Sequence, residues 1–291
     1  MPIPPAQRYA FMAALAAGAL AVVAVLVLTR GDNGADTNGS GGLTGGDFHS
    51  LVVDPGNPSR IFVGGHQAVS VSVDGGSTWN EVKALRNADA MGWAFADGAI
   101  YVSGHPGLNR SDDGGETFTR INDGLPNTDV HALGGTGQTL YGSTPATGVF
   151  TSTDAAAGWR TSATSAGQSY FGRIVVDPTD TQHLFAADAA TGVVESADGG
   201  TSWQLLDTGL PMATWLSAGG DDLEILVASG PEGAARSADG GRTWQTLQLP
   251  EGATLAELVP SAPDTILAGI HSGNRVQVQV SHDRGITWAA P

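Results

Sequence analysis

Cysteine is absent from the 291 residues. That excludes a disulfide framework, a cysteine nucleophile, a thiolate metal site and a lipid anchor attached through cysteine. Basic residues are scarce, with 13 Lys and Arg against 29 Asp and Glu and a formal net charge of −16. So acidic a surface repels phosphate backbones, and nucleic acid is not an expected partner. Only 14% of the residues are charged, yet 41% are hydrophobic and 42 are glycine. Hydrophobic residues in short periodic runs, punctuated by glycine, point to many tight turns rather than to disorder.

One long stretch lacks charge altogether. From Phe11 to Thr29 the nineteen residues are Ala, Val, Leu, Gly, Met and Phe, closed by Thr29 and then Arg30. As a helix such a run measures about 28 Å, close to the thickness of a hydrocarbon core. A cleavable signal has a shorter apolar region with its small-residue site beyond it, whereas Ala19-Leu20-Ala21 lies inside the run. The expectation is a cytoplasmic tail and signal-anchor over residues 1–30, with a single-pass helix at 11–29; secretion after cleavage is the alternative. No Lys or Arg follows Arg30 until Arg60, which favours placing the large domain on the extracytoplasmic side of the cell membrane. Residues 31–46, rich in Gly, Asn and Asp, read as a flexible tether with an average reach of about 20–25 Å.

What is abundant is a single phrase. Ser72-Val73-Asp74-Gly75-Gly76-Ser77-Thr78-Trp79 recurs from Ser111 to Phe118, Ser152 to Trp159, Ser196 to Trp203, Ser237 to Trp244 and Ser281 to Trp288. Its pattern is Ser-x-Asp-x-Gly-x-Thr-Trp. The aromatic ends are spaced 39, 41, 44, 41 and 44 residues apart. One turn phrase per forty residues is the signature of β-propeller blades. The phrase suits a hairpin: Asp74, Asp113, Asp154, Asp198, Asp239 and Asp283 accept hydrogen bonds from the turn backbone, and Gly supplies positive φ. Trp79, Phe118, Trp159, Trp203, Trp244 and Trp288 are sized to fill gaps between adjacent sheets. In the third copy Ala156 and Gly158 replace the usual Gly and Thr.

Those residues resemble the Asp-box, or BNR, repeats of sialidase-like and sortilin-like propellers, over roughly residues 47–291. The chain is similar to bacterial exported Asp-box proteins often labelled glycosyl hydrolase or exo-sialidase. The resemblance implies that the box is a structural staple without chemistry. The expected fold is all-β: a six-bladed propeller of four-stranded antiparallel blades over 47–291, preceded by the transmembrane helix. In the first blade the expected strands are 48–53, 60–65, 68–73 and 78–83, and the last strand of the sixth is 286–290. Neither end of the chain offers an obvious spare strand to close the ring.

Strand alternation puts the start of each first strand and the end of each second strand on one face, opposite the box turns. His49 and His131 begin first strands, and Met91 takes that place in the second blade. His66, His105 and His271 end second strands. Five of the seven histidines are thus expected at one rim of the channel mouth, with His183 and His282 on the other face. Imidazoles with a thioether suit copper, or failing that zinc or nickel. The bland alternative is a set of surface histidines with no shared partner. Trp93, Tyr170, Phe171 and Trp215, at first-strand starts, are candidate aromatic anchors for a protein or glycan partner; packing between blades is the competing reading.

The resemblance also raises sialidase chemistry, which relies on an arginine triad, a Tyr–Glu nucleophile and an Asp acid/base. Arg110, Arg173 and Arg275 are the arginines expected on the rim, Tyr170 the one rim tyrosine, and Glu257 an acidic residue at the start of the sixth blade's first strand, without a paired Tyr. No Arg-Ile-Pro phrase opens the first blade. The triad therefore does not carry over, and the expectation is a monomeric binding or scaffold module, as in sortilin-like and photosystem-assembly propellers, with a sialidase-like glycosidase or other carboxylate-pair hydrolase as the alternative.

Overall fold

The computed structural model describes residues 41–162, 168–220 and 222–291. The expected tail, membrane helix and most of the tether, residues 1–40, lie outside the described residues. Among the described residues no helix is long and apolar enough to cross a membrane, and helical structure is confined to a single 3-10 turn, Lys83–Leu85.

The rest is strand. β1 (Gly42–Leu43) precedes a first unit of β2 (Phe48–Asp54), β3 (Asn57–Gly65), β4 (Val69–Ser72) and β5 (Asn80–Glu81). The second unit holds β6 (Gly92–Ala96), β7 (Ala99–Gly104), β8 (Gly107–Ser111) and β9 (Thr119–Arg120); the third holds β10 (Ala132–Thr136), β11 (Thr139–Thr144), β12 (Gly148–Ser152) and β13 (Arg160–Thr161). The fourth holds β14 (Tyr170–Val176), β15 (Leu184–Asp188), β16 (Gly192–Ser196) and β17 (Gln204–Leu205); the fifth holds β18 (Trp215–Gly219), β19 (Ile225–Gly230), β20 (Gly233–Ser237) and β21 (Gln245–Leu247). β22 (Ala253–Leu258), β23 (Ile266–Ser272) and β24 (Arg275–Ser281) complete the chain.

Each unit is an antiparallel meander with its strands in sequence order, and the first strands β2, β6, β10, β14, β18 and β22 neighbour one another in a closed cycle. Two of them approach closely enough to pair in parallel, Ala132 opposite Gly172 and Leu133 opposite Arg173. That approach needs glycine at 134, where a Cβ would collide with the Ile174 carbonyl oxygen. The core is built where strand faces of adjacent units meet, as where the rings of Phe62 and Trp93 lie 4.9 Å apart. The chain is a β-propeller by this topology.

The box turns behave as their residue types dictate. In the first copy Ser72 Oγ donates to Asp74 Oδ1 (2.8 Å) and accepts from the Gly76 N–H (2.7 Å). Asp74 in turn accepts from the Thr78 N–H (2.8 Å) and hydroxyl (2.6 Å). Trp79 closes the turn by donating Nε1–H to the Gly76 carbonyl. The same ties recur at Asp239 and Asp283. Thr78, Thr243 and Thr287, helped by the turn N–H groups, hold the carboxyls of Asp74, Asp239 and Asp283 down at about 2. Each bond favours the ionised form. The third copy keeps only part of the network: Asp154 accepts from the Gly158 N–H, Ala155 and Ala156 sit at φ 55° and 73°, and Trp159 Nε1 has no partner.

Two boundaries differ from expectation at the ring's seam. β1 falls inside the stretch read as tether: Leu43 and Gly42 pair with Arg275 and Val276 of β24, and Thr44 is fully buried. Ser70 Oγ clamps this strand through the Leu43 N–H (2.8 Å) and carbonyl (2.9 Å). The expected strand at 286–290 shrinks to one bridge, Val280 with Ala289. Both ends of the described chain thus share the outer edge of β24. Unpaired backbone on that edge finds partners at the N-terminal end of the described chain, a device with no local sequence signature.

Candidate functional site

The rim is assembled by the backbone just before first strands and just after second strands. Ser50 Oγ donates to the Ala90 carbonyl (2.9 Å) and accepts from Trp93 Nε1–H (2.9 Å), which brings His49 beside Asp89. The Asp89 N–H donates to the His105 carbonyl (3.1 Å), and the Ala90 N–H to that of Gly65. Asp89 is therefore enclosed by the ends of two neighbouring units, its side chain 4% exposed.

Three imidazoles face that carboxylate. His49 Nδ1 lies 2.7 Å from Oδ1, and His66 Nδ1 and His105 Nδ1 lie 3.3 and 3.9 Å from Oδ2. The far side of His105 meets a second acid: its Nε2 lies 2.6 Å from Asp129 Oδ1, as does His131 Nε2. Asp129 is fixed by an Asx turn in which Asn127 Oδ1 accepts its N–H (2.8 Å). Phe171 completes the circle, edge-on to His49 (5.6 Å) and His131 (5.9 Å). It is brought there by the Gly172 N–H, which donates to the His131 carbonyl (3.0 Å) with Gly172 at φ 74° against Trp215.

Four of the five rim histidines thus converge: His49, His66, His105 and His131. His271 does not join them within the described contacts; its ring stacks on Phe48 at 6.1 Å, inside β23 rather than beyond its end. Met91 is 7% exposed, and no described contact links it to the imidazoles. Of the expected aromatic anchors, Trp93 and Trp215 are fully buried and Tyr170 is 2% exposed, because they pack between units; Phe171 alone stands at the rim. His183 contacts Asp177 and Glu195, and His282 contacts Thr265, in a separate region beside the box turns.

Asp89 and Asp129 escaped the sequence reading. Their signal is a phrase before the first strands: Asp47-Phe48-His49, Asp89-Ala90-Met91 and Asp129-Val130-His131 share register.

The arginines expected on the rim do not form a triad. Arg110 pairs with Asp112 and reaches the Ala155 carbonyl, on the box side. Arg275 donates to the Gly41 carbonyl at the seam. Arg173 points to Glu257, which lies near the end of β22 rather than its start. Glu257 is fully buried and accepts from Arg173, Trp215 Nε1 (2.9 Å) and the Val53 N–H (3.2 Å). Burial pushes its carboxyl above the ordinary range despite those donors.

The BNR/Asp-box repeat family matches residues 279–290. No curated protein matches the chain. Among solved structures it is similar to a GH74 xyloglucanase from Xanthomonas campestris, with TM-score 0.58, 17% identity, and coverage of 86% of this chain and 46% of that one. It is also similar to YCF48 from Cyanidioschyzon merolae, with TM-score 0.51, 15% identity, and coverage of 84% and 97%. A further match is YCF48 bound to D1 peptide, with TM-score 0.53, 16% identity, and coverage of 84% and 82%. The chain thus spans less than half of the xyloglucanase and nearly all of YCF48, and at these identities the likeness is one of fold. With Asp-box turns on a ring of meanders, the sixth of them matched by the BNR/Asp-box repeat family, the chain is a β-propeller consistent with the BNR type.

Proposed function

We propose that the protein is a binding module: a six-bladed Asp-box propeller, monomeric and held by an N-terminal signal-anchor outside the cytoplasmic membrane, that takes its ligand at the histidine and aspartate rim. The observation that carries this reading is the buried carboxylate of Asp89, faced by three imidazoles from two neighbouring units. Burying a carboxylate is costly unless it is paired, and a cluster of titratable groups held at that cost on an exposed rim marks a candidate ligand site. YCF48 with its bound peptide supports the idea that such a disc serves as a platform.

Glycoside hydrolysis is the competing reading, raised by the xyloglucanase. It needs two accessible carboxyls flanking a bond. Glu257 is fully buried beneath Arg173 and Trp215, and the rim acids are in contact with histidines, which favours binding. The full chain is to be incubated with a panel of fluorogenic glycosides and with xyloglucan. No release above that of heat-denatured protein is expected; turnover abolished by substituting an acidic residue overturns the proposal.

A further inference from the structure

Resting on the rim as the ligand face, we propose that His105, Asp129 and His131 bind one divalent first-row transition-metal ion of the zinc type, with the buried Asp89 as the charge behind His105. The ligand atoms of the three residues all lie within 4.8 Å of one another. Asp129 Oδ1 sits 2.6 Å from both Nε2 atoms, yet has no hydrogen-bond partner. Two ring nitrogens and an oxygen drawn together without hydrogen-bond alignment form a set of donor atoms around a shared point. Bonds from zinc to imidazole nitrogen and carboxylate oxygen measure about 2.0–2.2 Å, within reach of such a set.

The chemistry of the donors narrows the ion. Two imidazoles and a carboxylate are borderline-to-hard ligands, which suit a divalent ion. Cu(I) wants thiolate or thioether; the chain has no cysteine and Met91 is buried. Three protein ligands leave coordination positions open, so the ion can accept water or a donor atom from a partner.

Asp89 supplies the second, independent observation. Its Oδ2 is buried and has no hydrogen-bond partner, and lies 3.9 Å from Nδ1 of His105, the nitrogen opposite the proposed ligand atom. At that distance the carboxylate makes no hydrogen bond, but its charge favours the proton on Nδ1 and so leaves the Nε2 lone pair free to ligate. His49 and His66 are tied to the same carboxylate through Nδ1.

The test uses the full chain in detergent, stripped with a chelator, dialysed and titrated with zinc chloride by calorimetry and with cobalt chloride by visible absorption. One equivalent of zinc and a visible cobalt spectrum are expected. His131→Ala and Asp129→Asn should each weaken zinc by more than about 100-fold, and Asp89→Asn by roughly 10–100-fold with the cobalt spectrum altered. His183→Ala, beside the box turns, should leave the titration unchanged. His105 is an exposed loop residue, so His105→Ala provides a folded variant should one of the others not fold. Absence of zinc uptake, or uptake insensitive to the His105, His131 and Asp129 substitutions, overturns the metal site. That failure is distinct from glycoside turnover, which would overturn the binding-module reading itself.

Discussion

Arg173 of the fourth unit and Glu257 of the sixth, 84 residues apart, meet at 3.1 Å where first strands converge. Trp215, from the fifth unit between them, occupies the other carboxylate oxygen. Three units are thereby pinned through one buried side chain. Removing Arg173 leaves that carboxylate without a charged partner, so Arg173→Leu is expected to cost about 3–5 kcal/mol. The loss should shrink in acid, since a carboxyl whose folded pKa is raised is favoured in its neutral form as pH falls. The double variant Arg173→Leu/Glu257→Leu should lose less than the sum of the singles in urea unfolding; additive losses would mean that the two residues act independently.

The box serines are buried, and Ser237 is typical: its Oγ accepts from the Gly241 N–H at 2.9 Å and donates to Asp239 at 2.8 Å. Ser237→Ala strands a buried N–H and is expected to cost about 1–3 kcal/mol. Denaturant midpoints of this variant against an exposed Thr246→Ala control check the figure.

Acid should loosen the ring by a route visible in the carboxylates. Asp74, Asp239 and Asp283 titrate at about 2 in the folded chain. Unfolded aspartates titrate near 3.9. A depressed folded pKa gives stability that is present above the unfolded value and lost as pH falls through the folded one. Thermal midpoints should therefore fall between about pH 4 and pH 2, and high salt should leave most of the fall in place because the bonds are local.

In the third copy Ala155 adopts φ 55°, where the other copies place glycine or, in the sixth, Arg284. Left-handed backbone costs a non-glycine residue about 1–2 kcal/mol, partly offset by the greater freedom glycine loses on folding. Ala155→Gly is expected to stabilise by about 0.5–1 kcal/mol; no rise in the urea midpoint would show that the turn is not strained.

A chain beginning at residue 47 lacks β1, the Thr44 burial and both Ser70 bonds to Leu43. It should be less stable than a chain beginning at residue 41 by about 2–4 kcal/mol, at about 1 kcal/mol for each lost hydrogen bond plus exposed apolar surface. Equal unfolding curves would show that the seam closes without the N-terminal strand.

The residues of each box bond to one another within five positions, as Ser72, Asp74 and Thr78 do, so a pattern of residue types was enough to read the turn, the period and the two faces of the disc. Face assignment placed His49, His66, His105 and His131 together because strand alternation follows from connectivity alone. It did not reach packing: His271 stacks on Phe48, and Met91, Trp93 and Trp215 are buried, since which side of a strand packs between units depends on neighbours about forty residues away. Asp89, Asp129, the Arg173–Glu257 pair and the seam at β1 were settled only by the tertiary structure. Asp89 and Asp129 meet histidines where neighbouring units abut, and the Arg173–Glu257 pair and the β1–β24 seam form only when the ring closes, so no local residue pattern announces them.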